Sequence, residues 1–439
     1  MTLPAFGHAF KSRYFSLLDP EVTLVNNGSF GTTPTCVIEK EMQLCKDAER
    51  YPDAYLTDEI EVLYKRQVSL LAEYFKLDWR NLALVSNATV GINTVLRSIR
   101  WDFSRDKVLI HSTAYEACAN TVRYLSEFFD LQYEVVDLEY PIEDDKLLEA
   151  FEEKLSTGEY RLCMFDMISS MPGVKLPYRD IIKICQKYNT LSLLDGAHAA
   201  GQLDLQFLDE LNPDFMTTNL HKWLSAPKSC ALLYVNRKHH ASIQTTPISW
   251  NFSAEACRAI ENPQTAAEFE HNDLLMHNKF WFVGTASYSV YLCIEEALRF
   301  RQNICGGEER IREYQWKLQE TAVKAVGLIL GPGSKLLQNS TNTLTTPGLF
   351  NMSLPLDAKY SSVQQELSTD FHKFRRFKAR CDALARRKKA YAPFFFQGGA
   401  LWIRFSVQIF NEVEDFVVAA KILKAIINEN LNEELLSKK

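Results

Sequence analysis

Short apolar runs recur along the first two thirds of this chain, at 82–85, 107–110, 133–136, 162–165, 191–194 and 231–235, with amphipathic stretches at 91–99 and 178–188 between them. Runs of that length read as strands buried on both faces, and their alternation with helical stretches is the pattern of a mostly parallel sheet flanked by helices. The chain is therefore expected to be α/β. One run, 191–194, ends on Asp195, which places a carboxylate at the carboxyl end of a sheet, where ligands of open α/β folds collect. A carboxylate buried there needs a cationic partner. The next partly apolar stretch, 214–220, leads to His221 and Lys222. On spacing alone the commoner reading is a turn-capping Asp and a solvated Lys. The sharper reading is pyridoxal phosphate: its protonated pyridine nitrogen asks for the acid, and its aldehyde for an amine able to form a Schiff base.

At 439 residues and 46% hydrophobic content the chain exceeds the size at which a single core stops growing, so two domains are expected. After Gly306-Gly307 the pattern changes. A long helix is expected at 308–328, broken by the GPGS at 331–334, with strands near 349–353 and 401–407. The last helix has a start signal in Asn411 and Glu414, spaced as a capping box, and Val413, Phe416, Val417, Ala420, Leu423 and Ile427 share one face. The basic run 373–387 reads as a solvated helix face, with an anionic substrate as the alternative.

A net charge of −6 argues against a nucleic-acid footprint. No apolar run reaches membrane-spanning length and residues 1–7 lack a secretory layout, so a cytoplasmic protein is expected. The 10 cysteines include no CxxC pair; neither a zinc site nor a redox dithiol is indicated, and no metal is expected.

The stretch DGAHA at 195–199, followed by HKWL at 221–224 and the apolar run 231–235, resembles the lysine region of the class V aminotransferase family, fold type I among pyridoxal-phosphate enzymes. The branch it resembles holds isopenicillin N epimerase and the hercynylcysteine sulfoxide lyases of ergothioneine biosynthesis. Further landmarks follow in family order: NNGSFGT at 26–32, SNAT at 86–89, YEAC at 115–118, ISSMP at 168–172, Gly284-Thr285 and WIRFS at 402–406. Seven ordered motifs do not recur by chance.

The resemblance implies a seven-stranded-type sheet in a large domain at 41–299, a small α/β domain at 300–439, and an amino-terminal segment, 1–40, packed with the small one. It also implies roles. Lys222 would carry the cofactor and remove the α-proton, Asp195 would keep the pyridine nitrogen protonated, and His198 would face the phenolic oxygen. Asn87, Ala88 and Thr89 would cradle the phosphate from a helix terminus, joined by His221. Tyr115 would cover the ring, Arg404 would clamp the substrate carboxylate, and Asn27 and Ser170 would line the pocket. Thr285 would reach the phosphate of a neighbouring subunit in a homodimer, although this chain has Ala286-Ser287 where the family commonly places an acid two positions after that Thr. The implied reaction is β-elimination from a cysteine conjugate, a small-molecule amino-acid substrate. Epimerase, aminotransferase, cysteine desulfurase and non-catalytic cofactor binding stay open as alternatives. The desulfurase reading needs a thiolate before the Arg; Cys381 is the one cysteine near that place, and its setting does not match the family's loop.

Overall fold

The computed structural model describes residues 3–252, 258–260 and 263–436. Its centre is a seven-stranded sheet whose strands run, from one edge, Leu82–Val85, Ala231–Val235, Phe215–Asn219, Leu191–Asp195, Tyr160–Asp166, Lys107–His111 and Gln132–Val136. All neighbouring pairs are parallel except those of Ala231–Val235, which runs antiparallel to both its neighbours. Leu82–Val85 and Ala231–Val235 are buried throughout and Leu191–Asp195 at every residue but its first, which is why they appear as unbroken apolar runs rather than alternating ones.

One inner strand was not expected from the apolar pattern. Phe215–Asn219 carries two threonines and an asparagine, yet every residue in it is buried. Its polar groups are paired: Thr218 Oγ1 accepts from the Ala200 N–H at 3.0 Å, and Thr217 donates to the Leu232 carbonyl at 3.3 Å. Burial of a hydroxyl is tolerated when such a partner exists. The helix Ala88–Ser98 crosses this strand so closely that a β-carbon at Gly91 would lie 2.3 Å from Thr217 Oγ1.

A second core forms around the antiparallel sheet Phe394–Gln397, Ala400–Ser406 and Leu349–Ser353, covered by helices Glu308–Leu330, Phe371–Arg387 and Val413–Leu436. The first of these helices stops at Gly331, whose φ of +111° suits glycine. The last does not start with the expected capping box. Asn411 Oδ1 accepts from Gln408 N–H instead, and Asp415 Oδ2 takes the Glu412 N–H at 2.9 Å. The basic helix Phe371–Arg387 buries Phe377, Cys381 and Ala385 and leaves most of its cations at the surface.

The amino-terminal residues bridge both cores. Phe10 and Phe15 pack against Phe300 and Phe410, Thr23–Leu24 pairs in parallel with Ala390–Tyr391, and Val37 joins the core of the seven-stranded sheet. Among the described residues no helix is long and apolar enough to cross a membrane.

Candidate active site

Three adjacent parallel strands end in polar residues at the same edge of the large sheet. His111, Asp166 and Asp195 terminate their strands, all buried, with Asp166 in register beside Asp195. Asp195 accepts from the Ala197 N–H at 2.9 Å and from the Cys118 thiol at 3.2 Å, and no cation pairs with it among the described residues. Burial pushes Asp166 up to about 6, and its Oδ2 has no hydrogen-bond partner. His111 Nε2 accepts from the Asp166 N–H at 3.3 Å, so in the neutral ring its proton sits on Nδ1, facing Thr113 Oγ1 at 3.1 Å. His111 and Asp166 were not singled out from sequence, although both follow apolar runs just as Asp195 does.

The next strand over delivers the lysine. Phe215–Asn219 passes into the short helical turn Leu220–Trp223, and Lys222 Nζ comes to 3.2 Å from His198 Nε2. Burial is the largest influence on this amine, with the Arg404 charge acting the same way, and they pull it down to about 8 against the opposing charge of Asp195. The turn is fitted tightly against the amino-terminal loop. Gly31, with φ of +72°, lies where a β-carbon would be 1.8 Å from the His221 carbonyl oxygen. Asn27 donates from its amide to the Lys222 carbonyl at 3.1 Å and accepts from Thr32 Oγ1 at 2.8 Å, so its side chain braces the lysine turn.

Arg404 enters from the smaller sheet, almost wholly buried. Nη1 donates to the Ser170 carbonyl at 2.5 Å, and Nη2 donates to Asn26 Oδ1 and Ser29 Oγ, each at 2.9 Å. Its Nε has no partner and no carboxylate pairs with it among the described residues. Burial alone pulls the guanidinium down to about 10, a direction that a bound anion would reverse. Of the NNGS motif, then, it is Asn26 and Ser29 that reach the guanidinium, and Ser170 does so through its backbone.

At the start of helix Ala88–Ser98 the donors are divided. Asn87 caps the helix, its Oδ1 accepting from Val90 N–H at 2.9 Å, and the Ala88 N–H is taken by Asn219 Oδ1 at 2.9 Å. The expectation that Ala88 offers its N–H to a phosphate is thus corrected: the side-chain amide of Asn219, 131 residues along the chain, occupies it. Among the described residues neither the N–H nor the hydroxyl of Thr89 has a protein partner, and both stand at the positive end of the helix. His221 donates from Nδ1 to the Cys230 carbonyl at 2.9 Å, and burial pulls it down to about 4, so the neutral ring presents a bare Nε2. Tyr115, 46% exposed, is the residue just before helix Glu116–Phe129 and lies close enough to Asp195 to feel its charge. Thr285 is exposed on a cleft of about 450 Å³ that it shares with Tyr55, Leu56 and Pro52, away from the groups around Lys222.

These residues fit pyridoxal phosphate. An amine lowered to about 8, a buried carboxylate without a cationic partner among the described residues, donors at a helix terminus and a half-exposed aromatic side chain are four separate requirements of that molecule, and the site supplies each.

The sequence profile of the family described as Aminotransferase class-V matches residues 28–352. Hercynylcysteine sulfoxide lyase of Schizosaccharomyces pombe is 30% identical over 424 residues, 95% of this chain and 97% of that protein. An L-cysteine desulfhydrase-like protein of Epichloe uncinata is 30% identical over 444 residues, 95% of each chain. Among solved structures, the cystine C–S lyase C-DES in complex with cysteine persulfide superposes with a TM-score of 0.71 at 19% identity, covering 94% of this chain and 99% of that one.

Proposed function

Since the chain belongs to the class V aminotransferase family, we propose that it is a pyridoxal-phosphate-dependent carbon–sulfur lyase that eliminates the sulfur substituent of a cysteine conjugate, with hercynylcysteine sulfoxide as the substrate. The observation that carries an amino-acid substrate is Arg404, a buried guanidinium held by three neutral oxygens and lacking an anion. A planar donor fork in that state is built for a carboxylate.

Pyridoxal phosphate, when bound, supplies the aldehyde that captures the substrate amine and the electron sink that stabilises negative charge at the α-carbon. Asp195 holds the proton on the pyridine nitrogen by opposite charge in a dry setting. Thr89, at its helix terminus, binds the phosphate with its N–H and hydroxyl, and Tyr115 covers the ring. Arg404 fixes the substrate carboxylate and so orients the Cα–H bond. Lys222, an amine near neutrality, then accepts the α-proton. The Cβ–S bond breaks with its electron pair leaving on sulfur. The fragment departs as a sulfenic acid, and the remaining aminoacrylate is hydrolysed to pyruvate and ammonia.

The lyase branch is supported over a desulfurase by the place of Cys381. Its thiol is fully buried in the core of the smaller sheet, and burial pushes it up to about 12, the reverse of what a sulfur-accepting thiolate requires. Thr285, exposed on its own cleft, would reach the phosphate of a neighbouring protomer in a homodimer, as the family resemblance implies. Purified protein offered hercynylcysteine sulfoxide, cysteine and a panel of cysteine S-conjugates should release pyruvate fastest from the sulfoxide. Turnover of free cysteine to alanine, or none of the conjugates to pyruvate, would overturn the reading.

A further inference from the structure

Trp223 follows the lysine, and three glycines leave room for it, Gly348 and Gly28 beside its indole and Gly201 beside its backbone. A β-carbon at Gly348 would lie 2.7 Å from the far edge of its indole, one at Gly28 would lie 3.1 Å from Cζ2, and one at Gly201 would lie 2.7 Å from its carbonyl oxygen. Ile168 and Leu349 pack on the ring, and the buried Arg301 donates to the Trp223 carbonyl at 2.6 Å while paired with Glu308. The indole is therefore fixed in place, and its N–H is aimed at one atom: His198 Nδ1, at 3.2 Å.

An indole N–H can only donate, so His198 Nδ1 must hold a lone pair. The ring is completely buried beside the cations Lys222 and Arg404, which favours its neutral form. A neutral imidazole with a bare Nδ1 carries its proton on Nε2, and Nε2 is the atom 3.2 Å from Lys222 Nζ. An ammonium at Lys222 would set proton against proton there. A free amine accepts.

We propose that Trp223 is a positioning residue that locks His198 in its Nε2–H tautomer, so that the imidazole is a donor toward the reacting side of the site and biases Lys222 toward its free amine before the cofactor arrives. The same fixed N–H is what His198 has to offer to an oxyanion of a bound cofactor. The inference deepens the function proposed above at the lysine, and rests on it only for the identity of the group Lys222 meets.

The test uses the cofactor-free full-length protein, so a wrong substrate assignment cannot mimic its failure. With histidines labelled by 15N and His198 assigned by comparison with His198→Gln, the wild-type ring should show a pyrrole-type Nε2 and a pyridine-type Nδ1. Trp223→Phe keeps a ring but removes the donor; the tautomers should then mix, and Nε2 can accept from an ammonium. Amine-directed labelling of Lys222 at neutral pH, followed by peptide mapping, should slow about fivefold in that variant, the effect of losing one hydrogen bond. The other titratable groups bearing on Lys222, namely Asp195, Asp166, Cys118 and Arg404, are unchanged by the substitution. A proton on Nδ1 in the wild type, or a charged ring at neutral pH, would overturn the proposal even if Trp223→Phe does not fold. An unaltered tautomer and labelling rate in a folded variant would overturn it too.

Discussion

Arg404 and Asn26, 378 residues apart in the chain, meet through a 2.9 Å hydrogen bond from Nη2 to the amide oxygen. The acceptor is neutral, and so are the other two acceptors on this guanidinium, which leaves a buried charge without a counter-ion. Such a group is costly in the free protein and favourable once an anion arrives. The amino-terminal loop and the smaller sheet thus share the task of holding it.

Arg404→Ala is expected to lower kcat/KM for a cysteine conjugate by roughly thirtyfold or more, as truncating one partner of a buried charge pair costs about 2–5 kcal/mol. The check is a comparison of the substrate with its α-carboxamide. The wild type should discriminate strongly between them and the variant weakly. Equal discrimination in both would remove Arg404 from the carboxylate site.

Lys222→Ala should bind the cofactor without a covalent link. After borohydride treatment the wild type should carry a pyridoxyl group on the peptide containing Lys222, and the variant none. An unmodified Lys222 in the reduced holoenzyme would sink the assignment.

Cofactor-free protein should lose stability as pH rises through the window set by Asp166. Burial raises this acid from 3.8 to about 6, so between those values the folded state holds a proton that the unfolded state has released. Stability is then greatest below 3.8 on this account and falls by about 3 kcal/mol by pH 7. Asp166→Asn should remove that dependence, gaining on the wild type more at pH 7 than at pH 4.5 in urea midpoints. Parallel midpoints across pH would show that Asp166 does not titrate this way.

Cys381→Ala should keep most of the pyruvate-forming activity, with a modest loss of stability from the small cavity in its core. Alanine production from cysteine that vanishes in this variant would instead identify Cys381 as a sulfur acceptor.

Much of this architecture is legible along the chain because its signals are local. The apolar runs at 82–85 and 231–235 are strands over those same residues, and the helix expected at 308–328 spans Glu308–Leu330. The strand Phe215–Asn219 escaped the apolar pattern because its hydroxyls find partners on neighbouring segments. The capping signal at Asn411 failed because its groups are used elsewhere: its Oδ1 accepts from the Gln408 N–H, its own N–H goes to the Gln408 carbonyl, and Asp415 takes the Glu412 N–H just before the helix starts at Val413.

The sequence by itself determined which residues stand at strand ends and turns: Asp195 after an apolar run, Lys222 after a partly apolar stretch, Thr89 at a helix start. Only the tertiary structure decided what each of them faces. It gave the Ala88 N–H to Asn219, the guanidinium of Arg404 to Asn26 and Ser29 rather than to Asn27, and the Nδ1 of His198 to Trp223. The reason is physical. Periodicity and turn chemistry act over a few residues, whereas a hydrogen-bond partner is chosen by whatever packing brings within about 3 Å, and here that choice is made across tens to hundreds of residues.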